Sequence, residues 1–419
     1  MNIIAYSTIL FIALLGAPIF AVMAALALTA FYFSGIELSA VAVEIYRLSS
    51  APTILTIPLF TFAGYVLAES KAPLRLLRLS QSLLGWMPGG VAIVCLFVCA
   101  FFTAFTGASG VTIIALGGLL YPILIQEGYS EKFSLGLITT CGSLGLLFPP
   151  SLPIILYGII AKVDIDKLFL AGLIPGFVLM VILGAWAVFN ARDIKKRKHE
   201  LSLREIKSSI WEARYEIPLP IFVLGGIYGG FLTATEAAAL SAFYVLVVNT
   251  IFTKDLSFSR DLPKVIVESL TLVGAILLIL CCALGLTNYL VDEEIPMKIL
   301  EAMRTLITNK YLFLFVLNIF LLIVGCLMDI FSAIIVVVPL ILPIAEQFGV
   351  NPLHLAIVFL TNLEIGYITP PVGINLFISS FRFNKPVIEL YKISVPYLFL
   401  MLMALIIITY IPWLTLLWF

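Results

Sequence analysis

Gly142-Ser-Leu-Gly-Leu-Leu-Phe-Pro-Pro-Ser151 and its counterpart Gly366-Tyr-Ile-Thr-Pro-Pro-Val-Gly-Ile-Asn375 decide the fold. Each sets a Pro-Pro pair among glycines, inside a run apolar enough for an unbroken membrane helix. Proline removes a backbone donor and clashes with the preceding turn, and glycine leaves helical angles cheaply, so each stretch predicts a helix broken part-way. In lipid, the carbonyls and amides freed by such a break are tolerated only where they face protein or a cavity. Two interruptions in corresponding places point to a midplane binding site of the kind that carries a solute across a bilayer.

The surroundings agree with a bilayer. Of 419 residues, 62% are hydrophobic and 11% charged, and the mean hydropathy is +1.16, which excludes a set of soluble domains. The charges cluster between long apolar runs, as loops between spans do. The six cysteines, Cys95, Cys99, Cys141, Cys281, Cys282 and Cys326, lie in apolar segments without metal-type spacing to histidine and read as small buried hydrophobes.

Outward from the breaks, the chain reads as an all-α polytopic membrane protein. Ile3 to Phe31 and Ser50 to Ala68 are long enough to span. Lys71 to Trp86 carries basic residues three or four apart among leucines and predicts an amphipathic helix on the membrane surface. Gly90 to Gln126 is interrupted by Thr106-Gly-Ala-Ser-Gly110, which predicts the tip of a re-entrant hairpin. Lys132 to Ala161 holds the first break, and Leu168 to Phe189 crosses next. Arg192 to Glu216 contains eight basic residues (Arg192, Lys195, Lys196, Arg197, Lys198, Arg204, Lys207 and Arg214), which place it in the cytoplasm. Such a run can also bind nucleic acid, but in so hydrophobic a chain no nucleic-acid partner is expected. Ile217 to Phe231, Glu236 to Phe252 and Val265 to Leu290 follow as spans, then a polar stretch from Val291 to Lys310. Tyr311 to Gln347 is a second hairpin with Gly325 to Asp329 near its tip, Asn351 to Phe381 holds the second break, and Leu390 to Ile411 is the last span.

The order repeats. A shift of 221 residues places Pro122 on Pro343, Pro149 and Pro150 on Pro370 and Pro371, and Pro175 on Pro396, with Gly128, Thr140 and Gly145 falling on Gly349, Thr361 and Gly366. The additional span at Ile217 to Phe231 would turn the second copy over, giving inverted repeats. The expected units are residues 1–190, a basic linker 191–216, and 217–419.

Few polar groups fall at membrane depth. Asp329, in Gly325-Cys-Leu-Met-Asp-Ile-Phe-Ser332, either serves the transport pathway or caps the second hairpin helix. Glu236 in Thr233-Ala-Thr-Glu-Ala has the spacing of a helix-start capping box. Glu364 stands just before the second break, with a structural and a functional role both open. His354 reads as an interface residue. No nucleophile motif, metal spacing or Gly-x-x-x-x-Gly-Lys-Ser/Thr phosphate loop is present, so neither enzymatic activity nor a cofactor is expected. The breaks supply backbone carbonyls, with hydroxyls on Ser109, Ser151 and Thr369. Such hard oxygens without a carboxylate cage suit a weakly held monovalent cation such as sodium. Helix N-termini facing the same cavity suit an anionic substrate.

Gly107-Ala-Ser-Gly110, Pro122-x5-Gly128-Tyr129, Gly142-x-x-Gly145-x-x-x-Pro149-Pro150-Ser151, Tyr157-Gly158 and Gly229-Gly230-x-x-Thr233-x-Thr235-Glu236-Ala237 recur in one known family, as do Asp329, Pro339-x-x-x-Pro343 and Gly366-x-x-Thr369-Pro370-Pro371-Val372-Gly373-x-Asn375. Over nearly its whole length the chain resembles the large membrane subunit of tripartite ATP-independent periplasmic (TRAP) transporters. That resemblance implies an elevator-type, sodium-driven importer of organic acids such as C4-dicarboxylates or sialic acid in the bacterial inner membrane. It also implies two partners besides membrane lipid: a small membrane subunit and a periplasmic substrate-binding protein. By the same resemblance, one sodium site maps onto Ser109, Gly145, Phe148 and Pro150 and a second onto Gly366, Thr369 and Pro371. Ser151, Asp329 and Asn375 then fall along the substrate pathway. The family often carries two hydroxyl residues at the first hairpin tip, where this chain has Gly107-Ala108-Ser109. A stand-alone ion-coupled anion carrier or an ion antiporter of similar architecture is the nearest alternative. A passive channel is disfavoured because no recurrent ring of pore-lining charge is found.

Overall fold

The architecture was read from a computed structural model that describes residues 2–35, 37, 39, 43, 46, 50–192, 202–304, 307 and 309–419. Among these residues every regular element is helical. Eight helices are long and apolar enough to cross a membrane, or nine if one bent pair counts as a single span.

The expected first span, Ile3 to Phe31, is two helices, α1 (Asn2–Leu14) and α2 (Ile19–Ser34). Gly16 at φ 93° and Pro18 as N-cap interrupt it. Gly16 stands in the left-handed region and proline disfavours the helical region for the residue before it, so the helix breaks at Gly16-Ala17-Pro18. α3 (Thr56–Glu69) follows a 3-10 turn, and α4 (Ala72–Leu84) is the amphipathic helix expected from Lys71 to Trp86.

The polar face of α4 is partly covered by protein. Its Arg75 lies between Glu216 (2.5 Å) and Asp255 (2.7 Å), both carboxylates buried. Arg78 pairs with Glu212 at 2.9 Å and Ser82 meets Ser209 at 2.7 Å on α10 (Leu203–Glu212). Although burial opposes the Arg75 charge, the hydrogen bonds it donates to the two carboxylates outweigh it and hold the guanidinium above its ordinary pKa. The expected basic linker is described only at its two ends; Lys195, Lys196, Arg197, Lys198 and His199 lie outside the described residues.

Hairpin 1 is α5 (Gly90–Thr106) and α6 (Ser109–Gln126), turning at Gly107 and Ala108. The first broken helix is α7 (Glu131–Cys141), a 3-10 turn at Leu144–Leu147, and α8 (Leu152–Ala161), bent by 42°. α9 (Ile165–Asn190) then runs to the linker. After α10, the expected span Ile217 to Phe231 is the short α11 (Pro218–Tyr228), too short to cross alone. α12 (Ala234–Val247) continues into a π turn at Val248–Phe252, and α13 (Asp261–Asp292) is longer than expected. α14 (Ile295–Arg304) occupies the polar stretch from Val291 to Lys310, of which residues 305, 306 and 308 lie outside the described set.

The same succession then returns. Hairpin 2 is α15 (Lys310–Leu327) and α16 (Ile330–Gln347); the second broken helix is α17 (Pro352–Gly366) and α18 (Ile374–Phe383); α19 (Val387–Tyr410) and the short α20 (Trp413–Leu416) close the chain. Both Pro-Pro bonds are cis. α2, α3, α12 and α13 pack on one another, while the hairpins, broken helices, α9 and α19 form a second group around the two breaks.

Candidate functional site

The first break lies directly on hairpin 1. A Cβ on Gly145 would fall 2.3 Å from the Ala100 carbonyl oxygen and 2.4 Å from the Ala104 nitrogen, so only glycine lets the 3-10 turn approach α5 this closely. Thr103 Oγ1, itself 2.7 Å from Thr112 Oγ1, donates to the Gly142 carbonyl at 2.8 Å and satisfies one group that α7 leaves open. A Cβ on Gly142 would lie 3.4 Å from the Ser109 carbonyl oxygen, so the hairpin tip and the break are neighbours. Phe148 donates its N–H to the Gly145 carbonyl at 3.1 Å and turns its ring towards Gly176 and Phe177 of α9. Pro150 and Ser151 are buried, and Ser151 Oγ has no hydrogen-bond partner among the described residues.

The second break repeats this arrangement. A Cβ on Gly366 would fall 2.3 Å from the Gly325 carbonyl carbon. A shift of 221 carries Ala104 onto Gly325 and Gly145 onto Gly366, so both breaks meet their hairpins through equivalent positions. Tyr367 Oη accepts the Ile330 N–H at 2.8 Å, and Gly373 donates its N–H to the Cys326 carbonyl at 3.2 Å. Thr369 Oγ1 donates back to the Ile365 carbonyl at 2.8 Å, its N–H bonds the Gly366 carbonyl at 3.0 Å, and Tyr391 donates its hydroxyl to the Pro371 carbonyl.

The two breaks are also tied to each other. Asn375 Nδ2 donates to the Thr139 carbonyl at 3.1 Å, its backbone N–H donates to the Tyr367 carbonyl at 3.1 Å, and Thr139 Oγ1 donates to Ser379 Oγ at 2.9 Å. Arg382 Nε donates to the Ile114 carbonyl at 2.8 Å, joining α18 to α6. Lys385 pairs with Glu131 at 2.6 Å; that hydrogen bond and charge hold the ammonium above the usual lysine range. Neither α8 nor α18, the helices that start at the breaks, has a side-chain cap at its N-terminus. No side chain competes for their first-turn amides, although in α18 the Asn375 and Leu376 N–H groups are bonded to the Tyr367 and Gly373 carbonyls and in α8 Pro153 carries no N–H.

Asp329 is the N-cap of α16. Its Oδ1 accepts the N–H groups of Phe331 (3.0 Å) and Ser332 (3.1 Å), and its Oδ2 accepts the Ser332 hydroxyl. Glu236 closes a capping box with Thr233 on α12. His354 is buried, with Nδ1 2.9 Å from Thr415 Oγ1 and Nε2 3.1 Å from the Thr409 carbonyl, an interface role. Cys95, Cys99, Cys141 and Cys326 are buried and unbridged; Cys281 and Cys282 are half-buried.

Several contributors were not singled out from the sequence. Thr103, Thr112, Thr139, Thr140 and Ser379 are buried hydroxyls in apolar helices, and only their nearness to a predicted tip or break would have marked them. Asn318, Asn362 and Thr409 form a buried chain in which Asn362 Nδ2 donates to Asn318 Oδ1 (2.7 Å) and Asn318 Nδ2 to Thr409 Oγ1 (3.1 Å). Glu364 is fully buried, and neither carboxylate oxygen has a hydrogen-bond partner among the described residues.

Residues 6–414 match the family model "Tripartite ATP-independent periplasmic transporter, DctM component". The chain belongs to that family. Among TRAP relatives, it is 35% identical over 388 residues to the C4-dicarboxylate TRAP transporter large permease protein DctM of Pseudomonas aeruginosa, covering 92% of this chain and 90% of that one. It is 37% identical over 361 residues to the isethionate TRAP transporter permease protein DctMQ of Oleidesulfovibrio alaskensis, covering 86% of this chain but only 57% of that longer relative. The ectoine/5-hydroxyectoine TRAP transporter large permease protein UehC of Ruegeria pomeroyi is 28% identical over 363 residues, 86% of this chain and 84% of that one. Among solved structures, the Alcanivorax borkumensis YdaH transporter superposes with a TM-score of 0.64 at 12% identity, over 88% of this chain and 86% of that one. Neisseria gonorrhoeae MtrF gives 0.60 at 13%, over 89% and 83%. At such identity these two likenesses speak for the fold alone. The DctM assignment makes this chain a multi-pass membrane permease component.

Proposed function

We propose that this TRAP permease is the large membrane subunit of a sodium-coupled importer of small organic acids in the bacterial inner membrane. It works with a small membrane subunit and with a periplasmic binding protein that delivers the substrate. The observation that carries this reading is the pair of helix breaks, each held against a hairpin by a glycine contact that admits no Cβ and each followed by a helix without a side-chain cap. Carbonyls and hydroxyls at the breaks offer oxygen ligands to sodium, and the uncapped N-termini of α8 and α18 favour a carboxylate or sulfonate. One sodium ion is assigned to Ser109, Gly145, Phe148 and Pro150 and another to Gly366, Thr369 and Pro371. The substrate passes Ser151, Asp329 and Asn375.

The repeat units 1–190 and 217–419 are read as inverted copies about the linker 191–216. The group of hairpins and broken helices is read as a body that slides, elevator-fashion, against α2, α3, α12 and α13. Equivalent glycine contacts at the shift of 221 support the copies, and the tight packing among α2, α3, α12 and α13 supports a separate scaffold. Relatives named for C4-dicarboxylates, isethionate and ectoine support a small acid as the solute class.

Uptake into proteoliposomes holding this chain and its small subunit tests the reading. Accumulation is expected only with an inward sodium gradient and a loaded binding protein. Uptake that ignores sodium overturns the coupling, and sodium-driven uptake without the binding protein turns the reading to the stand-alone carrier.

A further inference from the structure

We propose that Gly64 and Gly285 are paired positioning residues of the transport cycle: Gly64 receives the tip of hairpin 1 in the state described here, and Gly285 receives the tip of hairpin 2 in the opposite state. The proposal rests on the elevator reading.

Gly64 lies on α3, which packs on hairpin 1 through α5. A Cβ at this position would sit 2.3 Å from the Phe105 carbonyl oxygen, 2.6 Å from its carbon and 2.7 Å from the Thr106 Cα. All three atoms are backbone at the hairpin tip, so no side-chain rotation relieves the clash. The contact therefore joins α3 to hairpin 1 backbone to backbone, at a distance that leaves no room for a Cβ.

The shift of 221 that relates the two breaks carries Gly64 onto Gly285, and Phe105 and Thr106 onto Cys326 and Leu327. Gly285 is a buried residue of α13. The second copy thus keeps a glycine where a hairpin tip would have to approach. The two helices meet their hairpins differently in this state: α13 packs on hairpin 2 chiefly through the second helix, α16, and α3 on hairpin 1 chiefly through the first, α5. Exposure differs at one of the two tip positions: Thr106 is 0% exposed and its counterpart Leu327 57%, while Phe105 and Cys326 are both buried. Among the described residues, the tip backbone of hairpin 1 meets Gly64, whereas Leu327 at the tip of hairpin 2 is left exposed.

Two halves of related sequence with unequal contacts are what a two-state exchange requires, since each half can adopt the arrangement now held by the other. In that exchange the Phe105–Thr106 backbone leaves Gly64 as the Cys326–Leu327 backbone reaches Gly285. A methyl group at either glycine then penalises one state and leaves the other unhindered.

The test uses the full chain with its small subunit in lipid nanodiscs, with native cysteines replaced by serine. Spin labels are placed at Lys207→Cys on α10, which is fixed to α4, and at Lys132→Cys at the N-terminal end of the first broken helix. The background protein is expected to show two distances whose ratio changes between sodium-free and sodium-plus-substrate conditions. Gly64→Ala is expected to move the ratio away from the distance matching this structure by roughly tenfold or more, and Gly285→Ala to move it the other way. The double variant returns towards the background ratio. Opposite shifts are decisive because a glycine with only a packing role would not change sign between two sites. Shifts in the same direction, or none, overturn the proposal while leaving the elevator standing. A single distance in the background under every condition removes the elevator and the proposal with it. If Gly64→Ala does not insert, Gly285→Ala alone decides, by enriching or failing to enrich the distance of this structure.

Discussion

Gly366 lies so close to Gly325 that a Cβ on the former would fall 2.3 Å from the carbonyl carbon and 2.5 Å from the Cα of the latter. A Cβ on Gly325 meets only ordinary to tight neighbours, the nearest being Leu363 Cα at 3.0 Å. Gly366→Ala is therefore expected to abolish uptake, because it pushes the second break off hairpin 2, whereas Gly325→Ala retains a measurable rate. Uptake normalised to membrane-inserted protein checks the order; equal losses would remove the asymmetry.

Thr369→Ala removes a hydroxyl that bonds the Ile365 carbonyl and is assigned to a sodium ion. Loss of one ligand-strength interaction is expected to raise the sodium concentration for half-maximal uptake by about tenfold, at unchanged expression. A sodium curve that coincides with that of the parent protein counts against the site.

Asp329→Asn separates cap from charge. Asparagine caps helices about as well as aspartate, so Oδ1 can keep the Phe331 and Ser332 amides, and insertion and thermal stability are expected to match the parent. Sodium-driven uptake is expected to fall strongly, the lost charge being the cause. Near-normal uptake would reduce Asp329 to its capping role.

Arg75→Ala strands two buried carboxylates, Glu216 and Asp255, at the foot of the scaffold. Breaking a buried ion pair from one side costs roughly 3 kcal/mol or more, so a clear fall in melting temperature in detergent is expected. Arg75→Lys, which lacks the fork that reaches both carboxylates, should recover part of the loss. A melting curve untouched by alanine would show that water already solvates the cluster.

Sidedness has its own check. Lys207 and Lys162 are exposed near opposite ends of α9. In a cysteine-free background, Lys162→Cys is expected to react with an impermeant maleimide added to intact cells and Lys207→Cys only after the membrane is opened. The reverse pattern inverts the topology.

The sequence was legible where local chemistry overrides context. Pro149-Pro150 and Pro370-Pro371 can only interrupt a helix, and the breaks stand where they were expected. The capping box at Thr233 and Glu236 was visible from spacing alone. Ile3 to Phe31 was misread as one span because hydropathy averages over Gly16-Ala17-Pro18, although the proline carried the correction. The pairing of Arg75 was not legible, since no local pattern connects it to Glu216 or Asp255, 141 and 180 residues away. Thr139 and Asn375 touch across 236 residues, a relationship that belongs to the fold and to no motif.

That last contact has a thermodynamic consequence. Asn375 holds Tyr367 at one break and Thr139 at the other, so neither break can change its shape without disturbing the other's hydrogen bonds. An ion that orders one of them lowers the conformational freedom left to its twin. By reciprocity, whatever binds second at the twin must tighten the first ion to the same degree. Under the proposed assignment, coupling between the ions at the two breaks needs no long-range wire through the protein, because the side chain and backbone of Asn375 already join them.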